Sequence, residues 1–526
     1  MRSLKTMSYS DDFGEEGFDV NDENIDEERY GASKNKSRVD LLYTTDANRM
    51  RSRRCFWIIG VLIVTSIVAA VAVVMLFLNG DEAHKQTAIV DVPTQEAAPI
   101  GNTPTEDAPV AAPVARLSAN EILLREKSRL GGIEFDNHAT YQSKALAWLE
   151  DNPFSSSANK TISDEERLLQ RFSLACIHFS TNKVSNVYTE AQFTGYGLQP
   201  WNRDDGWLDA EDECTWYAIV CNADGYVIEI NLTKNALTGT FPYEVSYLKE
   251  YLEVLNLDAN FFHNKDHDGH AFIKELQNLR AMSVRDTFMQ YNGIPPHYGH
   301  LPRLQSLDIS YVVYTGSTAD NFMQAIENPL PELVFLDISG NSFNGPIPNS
   351  IISLPNLTAF YAVNSNVESD VSFVANMGNV IEVWLDENPG LTGRLPESLD
   401  SITSLRSFAI TECSLTGPIP TSMGNLVALQ QVWLYGNQLD GQVPSSLGSL
   451  LKLETFEVHN NLLTGSMPTQ MCTNMITGVL QTLQADCPDE IQCTCCSCCG
   501  SSCGREPSYG GRRQLWERPE RKERLN

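Results

Sequence analysis

The residues best placed for chemistry are sulfur atoms near the C-terminus. Eight of the thirteen cysteines, Cys472, Cys487, Cys493, Cys495, Cys496, Cys498, Cys499 and Cys503, fall in one stretch. Thiols at that density are bonded to one another or to a metal, and a disulfide-stapled end cap is the reading taken here, with zinc as its alternative. The pairing does not follow from the spacing. Asn264–Glu275, NKDHDGHAFIKE, places Asp266, Asp268, Gly269 and Glu275 at calcium-loop intervals. A strand pattern precedes it where a helix would be needed, so it reads as an extended loop, with calcium the weaker option and no metal assigned. Asp266-His267-Asp268 also matches a glycosyltransferase metal triplet, but the surrounding period is not that of a nucleotide-binding domain. His263, His267, His270, His297 and His300 read as solvated loop residues. No GxGxxG, HRD or DFG occurs, nor a nucleophile paired with a base, so neither an enzyme nor a cofactor is expected.

Which compartment these groups face depends on residues 56–78, twenty-three consecutive positions without a charge. As a helix they extend about 34 Å, enough to span a bilayer. Arg49, Arg51, Arg53 and Arg54 precede them and Asp81 and Glu82 follow, which predicts a cytoplasmic N-terminus. The expected location is the plasma membrane, single-pass with the C-terminus outside, or else the Golgi membrane. Residues 1–54 carry an acidic run from Asp11 to Glu28 and read as a disordered cytoplasmic tail; 55–78 is the signal-anchor helix. Residues 79–135, with Pro93, Pro99, Pro104, Pro109 and Pro113, read as a stalk and linker. Thirty-eight basic against sixty-seven acidic residues leave a net charge of -29, which repels phosphate backbones and excludes nucleic acid as a partner. Asn159, Asn231 and Asn356 begin sequons on the outer side.

Residues 227–470 repeat themselves. LEVLNLDANFF at 252, LVFLDISGNSF at 333 and LQQVWLYGNQL at 429 share LxxLxLxxNxL, and first positions recur at Val227, Leu252, Leu279, Leu304, Leu333, Leu357, Val380, Leu405, Leu429 and Leu453. Ten units of 23 to 29 residues predict a stacked solenoid, because one coil cannot bury its own apolar face. The alternating LxL puts one strand face inward. The asparagines Asn235, Asn260, Asn341, Asn388, Asn437 and Asn461, with Thr287 and Cys413 substituting, are expected to satisfy backbone groups between coils. FNGPIPNSI at 343 and LTGPIPTSM at 415 supply the tight return.

With that consensus, residues 136–500 resemble the plant-type leucine-rich-repeat family. The resemblance implies an α/β right-handed solenoid, or horseshoe, with a helical N-terminal cap over 136–226. It also implies a Cys214–Cys221 disulfide, a cysteine-rich C-terminal cap over 471–503 and a basic tail, 504–526. Ser163 and Glu166 form a capping-box pair ahead of an amphipathic helix. Ala218 stands where the family usually has glycine after Trp216 and Tyr217. The whole plan, with anchor and acidic tail but no kinase, is similar to single-pass repeat proteins of algal stramenopiles.

Strand residues flanking the inward positions must point to the open sheet face, the concave side of such a horseshoe. Its central column is Asn231, Asn256, Ser283, Asp308, Asp337, Tyr361, Trp384, Ala409, Trp433 and Glu457. Trp384 and Trp433 are expected roughly 10 Å apart, two strand spacings, with Ala409 as the floor of a slot for a flat group. Tyr361, Glu382, Asp386, Tyr435, Glu457 and His459 surround it. The function this implies is a receptor-like protein binding an extracellular glycan, peptide or protein on that face and signalling through a co-receptor that carries a cytoplasmic kinase. Adhesion between membrane and wall is the structural alternative.

Overall fold

The computed structural model describes residues 117–153, 161–182, 201–262, 271–287, 296–312, 330–487 and 490–498. All lie in one compact unit, Ala111–Asn526. The acidic tail, the apolar stretch 56–78, Asn159, Asp266, Asp268, Cys499, Cys503 and the basic tail fall outside them. Among the described residues no helix is long and apolar enough to cross a membrane.

Among the described residues, three α-helices precede the repeats, each opened by a hydroxyl side chain that accepts a backbone N–H. They are α1 (Ala119–Lys127, capped by Ser118), α2 (Tyr141–Asp151, by Thr140) and α3 (Asp164–Thr181, by Ser163). At α3 the box is complete, since Glu166 also accepts from the Ser163 N–H. Leu124 of α1 is fully buried against Phe135, Leu146 and Phe172. Leu124, inside the 79–135 stretch read as stalk and linker, thus belongs to the core of these helices.

From the cap onwards the chain is repetitive. Strand Ile219–Cys221 turns back antiparallel on Val227–Asn231, and the Cys214–Cys221 disulfide ties the end of the first strand to the 3-10 turn Glu213–Thr215 before it. Ala218 sits there at φ +66°, a conformation that glycine adopts without strain. Every later strand of the thirteen-stranded sheet is parallel to its neighbour. The return segments are mostly 3-10 turns, such as Glu397–Ser401, Thr421–Asn425 and Ser445–Ser449. Each starts after a proline, Pro396, Pro420 or Pro444, whose ring fixes φ near the value needed. Behind the long sheet lies one apolar core from Leu174 to Ile491, in which all ten expected first positions are buried.

The polar ladder explains the asparagines. Asn388 donates to the carbonyls of Ala362 (2.7 Å) and Leu385 (2.8 Å) and accepts from the N–H groups of Ser365 and Val367. It thus joins two coils at a turn where no strand pairing is available. Cys413 gives a weak copy, its sulfur 3.4 Å from the Leu385 carbonyl. Ser365 holds the place in the sixth repeat, and Asp486 ends the ladder by accepting from Asn460 and Asn461.

The sheet does not stop at residue 470. Thr482–Ala485 pairs with Thr455–Glu457, and Ser497–Cys498 pairs in turn with the first of these, so the cysteine-rich segment supplies two more strands. Cys472–Cys495 and Cys493–Cys496 are disulfides, and Cys487 is also oxidised. Glu275 closes a single 3-10 turn, Ile273–Glu275, leading to strand Ala281–Ser283 rather than to the exiting helix of a calcium loop.

Candidate ligand-binding site

The parallel register places the expected column in one row. Asn231 pairs with Asn256, Asn256 with Ser283, Ser283 with Asp308, and Asp308 with Asp337. The row continues through Tyr361, Trp384, Ala409 and Trp433 to Glu457 without a slip. A one-residue shift would have sent any of them into the core.

Its first half is polar. Asn231 is exposed, Asn256 and Ser283 are half-buried, and Asp308 and Asp337 are buried. The two buried carboxylates accept from the serine two positions on: Asp308 from the Ser310 hydroxyl at 2.6 Å, Asp337 from the Ser339 N–H at 3.0 Å. Asp258, beside the column, was not singled out from sequence. It accepts from the Ser283 hydroxyl and from the Arg285 N–H at 2.9 Å. Burial, with the Asp308 charge adding to it, pushes its carboxyl up to about 6. The Asp-Ile-Ser triplets at 308 and 337 were the available signal for this carboxylate–hydroxyl pattern.

The second half is aromatic, and the slot expected there is closed. The rings of Trp384 and Trp433 approach edge-to-face at 6.4 Å between centroids instead of standing 10 Å apart. Trp384 is 1% exposed and Ala409 is fully buried, so there is no open floor. The cause is the small side chain of Ala409: with nothing between them, the indoles lean together and exclude the gap. Tyr361 stacks on Trp384 at 4.7 Å on the other side, and the Trp384 indole N–H donates to the Ser407 hydroxyl at 2.8 Å.

The expected rim is tied into the same surface. The Tyr361 hydroxyl donates to Glu382, and Asp386 accepts from the Thr411 hydroxyl at 2.7 Å and its N–H at 2.9 Å. Tyr435 lies flat on His459 at 4.6 Å, and Tyr435, Glu457 and His459 are all buried. Trp433 is the half-buried ring of this row, with Phe335 and Tyr311 packed beside the cluster. The structure thus brings Tyr361, Glu382, Trp384, Ala409 and Trp433 together as one packed aromatic patch rather than as the walls of a cleft. Of the sequons, Asn231 is exposed, its side-chain amide oxygen accepting from the Thr233 hydroxyl at 2.8 Å, and Asn356 is exposed, its side-chain amide donating to the Pro331 carbonyl.

A family profile described as Leucine Rich Repeat matches residues 332–354. With the period, the ladder and the proline-led returns already established, this fixes the repeat class. The repeats are plant-type leucine-rich repeats. The receptor protein-tyrosine kinase CEPR1 of Arabidopsis thaliana is 27% identical over 169 residues, 31% of this chain and 16% of that protein. Receptor-like protein kinase BRI1-like 3 of the same plant is 26% identical over 172 residues, 28% of this chain and 14% of that one. This chain thus spans less than a quarter of these relatives, and the similarity to the kinases is to their repeat region. Among solved structures, the Arabidopsis receptor kinase HAESA, in complex with the peptide hormone IDA and the co-receptor SERK1, aligns with a TM-score of 0.41. That alignment is 22% identical and covers 54% of each chain. A plant ice-binding protein aligns with a TM-score of 0.39 at 21% identity, over 57% of this chain and 92% of that one.

Proposed function

We propose that this chain is a membrane-anchored recognition protein whose long sheet binds an extended ligand, a peptide or a segment of a protein, and which reports through a partner. The carrying observation is the unbroken row from Asn231 to Glu457. Ten strands at about 4.8 Å give a track of about 43 Å, the length of an extended peptide of about a dozen residues. Polar groups at one end and an aromatic patch at the other would set its direction. Sequence similarity to the repeat regions of plant receptor-like kinases supports the same reading. In it, residues 56–78 anchor the chain in the plasma membrane with the N-terminus in the cytoplasm, and a co-receptor supplies the kinase. Loss of an N-terminal tag when protease is added to sealed cells would overturn that orientation.

Binding is tested with peptide and glycan arrays probed by the glycosylated ectodomain, residues 117–503. The strongest hit is then titrated against Trp433→Ala, Asn256→Ala and, as a control, Thr416→Ala, an exposed residue of the second sheet (Ser414–Pro418). Trp433→Ala should weaken binding about tenfold or more, the scale of an aromatic hot spot. Equal affinity in all three variants would remove the long sheet as the binding face.

A further inference from the structure

Charge is not spread evenly over the repeats. The strands of the long sheet, from Ile219–Cys221 to Ser497–Cys498, hold five acids, Glu229, Asp308, Asp337, Glu382 and Glu457, and no lysine, arginine or histidine. Two positions past the row, Asp258 and Asp386 add to them, against Arg285 and His459. Bases of the same repeats, such as Arg280, Arg303, Arg394, Arg406 and Lys452, fall outside the strands. Asp308 accepts from Ser310, Asp337 from Ser339, Glu382 from Tyr361 and Asp386 from Thr411. A hydroxyl or N–H orients a carboxylate without cancelling its charge. The open face is therefore an acidic strip that ends in an aromatic patch.

Residues 504–526 have the opposite sign. They carry seven bases against four acids, with pairs at Arg512–Arg513 and Arg521–Lys522, and two aromatic residues, Tyr509 and Trp516. The segment follows Ser497–Cys498, the edge strand of this same sheet, two strands beyond Glu457. Arg512 is fourteen residues past Cys498, an extended reach of about 46 Å. From that edge to the strand of Asp308 is eight strand spacings, about 38 Å. The whole acidic strip from Glu457 to Asp308 is thus within reach. A tethered segment meets its site at an effective concentration on the order of 1 mM, so an intrinsic affinity of about 0.1 mM is enough to keep the site filled.

We propose that the basic segment 504–526 docks on the acidic open face of its own sheet, as an internal occupant that an external ligand has to displace. The proposal rests on the reading of the long sheet as the binding face and adds what fills that face before a ligand arrives. Opposite charge brings the segment to the strip, and an arginine stacked on the half-buried Trp433 ring anchors it. The ligand that replaces it must then be basic as well, because it meets the same carboxylates.

The test uses the full chain in non-ionic detergent, a variant ending at Cys503, and a fluorescent peptide with the sequence of residues 505–526. The shortened variant should bind the peptide, and more weakly as salt is raised. The full chain should bind it about tenfold more weakly, the ratio of the two concentrations above. Arg512→Glu with Arg513→Glu in the full chain, outside the folded repeats, should restore the affinity of the shortened variant. In the shortened variant, Asp337→Asn with Glu457→Gln should weaken the peptide at least about fivefold, whereas Asp440→Asn, exposed on the second sheet, should not. Equal affinity for full and shortened chains would overturn the proposal, as would indifference to the Asp337 and Glu457 pair. With Trp516 replaced by photoreactive benzoylphenylalanine, cross-links should stay within one chain; cross-linked dimers would make a second copy the occupant and also overturn it. A shortened variant that ignores this peptide yet binds an array peptide through Trp433 would remove the internal occupant alone. Loss of the Trp433 dependence itself would remove the binding face, and both readings with it.

Discussion

The two ends of the column share a backbone and differ in almost everything else. From Asn231 to Asp337 the side chains are short, and their hydrogen bonds run to neighbouring hydroxyls and N–H groups. From Tyr361 to Trp433 they are rings that pack on one another until the row is nearly as dry as the core behind it. Strand spacing explains the contrast. At about 4.8 Å between strands, short polar groups reach only the adjacent residue, whereas aromatic groups overlap their neighbours and exclude water. A solenoid can therefore turn part of its open face into a second small core without changing a strand.

The most direct way to break this comparison is to remove one large side chain from each half. Trp384→Ala should cost about 3 kcal/mol of stability, the scale of a buried aromatic truncation, whereas Asn256→Ala should change it by less than about 0.5 kcal/mol, as half-exposed polar substitutions do. Urea titration of the two variants decides it, and similar midpoints would mean that the aromatic patch is not packed as described.

A pH comparison sharpens the polar half. The Asp258 carboxyl is raised from 3.8 to about 6 in the folded chain, so folding favours its protonated form. Its contribution is fully present below about pH 4 and is lost as pH rises through about 6. Asp258→Asn should accordingly be more stable than the parent by about 1–2 kcal/mol at pH 7.5, a value reduced for the partial exposure of this residue. It should match the parent at pH 4. A constant difference at both pH values would rule out the titration of Asp258 as the cause.

The smallest expected effect concerns the ladder beneath the aromatic half. Cys413 sits where Asn388 and Asn437 each make several bonds, and its thiol makes only weak ones. Cys413→Asn should add about 1 kcal/mol, one net hydrogen bond, seen as a higher thermal midpoint. An unchanged or lower midpoint would show that the coil has relaxed around sulfur.

Much of the architecture was legible because it repeats. Ten first positions, the ladder asparagines and the alternation of LxL were each visible several times, and the Cys214–Cys221 bridge followed from the family the cap resembles. Residues that depart from the consensus were harder. Ser365 and Asp486 perform the ladder's role with other chemistry, and the strands at 482–485 and 497–498 lie in a segment whose cysteines conceal the repeat. Leu124 showed no sign in the sequence of belonging to the cap, since its partners Leu146 and Phe172 are on other helices.

The sequence by itself determined which residues share the open row, because side-chain direction along a strand has a period of two and the repeat sets where each strand begins. Only the tertiary structure decided what that row presents. Whether Trp384 and Trp433 flank a slot or close it depends on ring orientation across three strands, and the closure follows from the contact energy of two indoles over an alanine. Likewise, the spacing of the cysteines revealed a cluster, but the meeting of Cys472 with Cys493 and Cys495 required a helix and a strand pair to bring distant residues together.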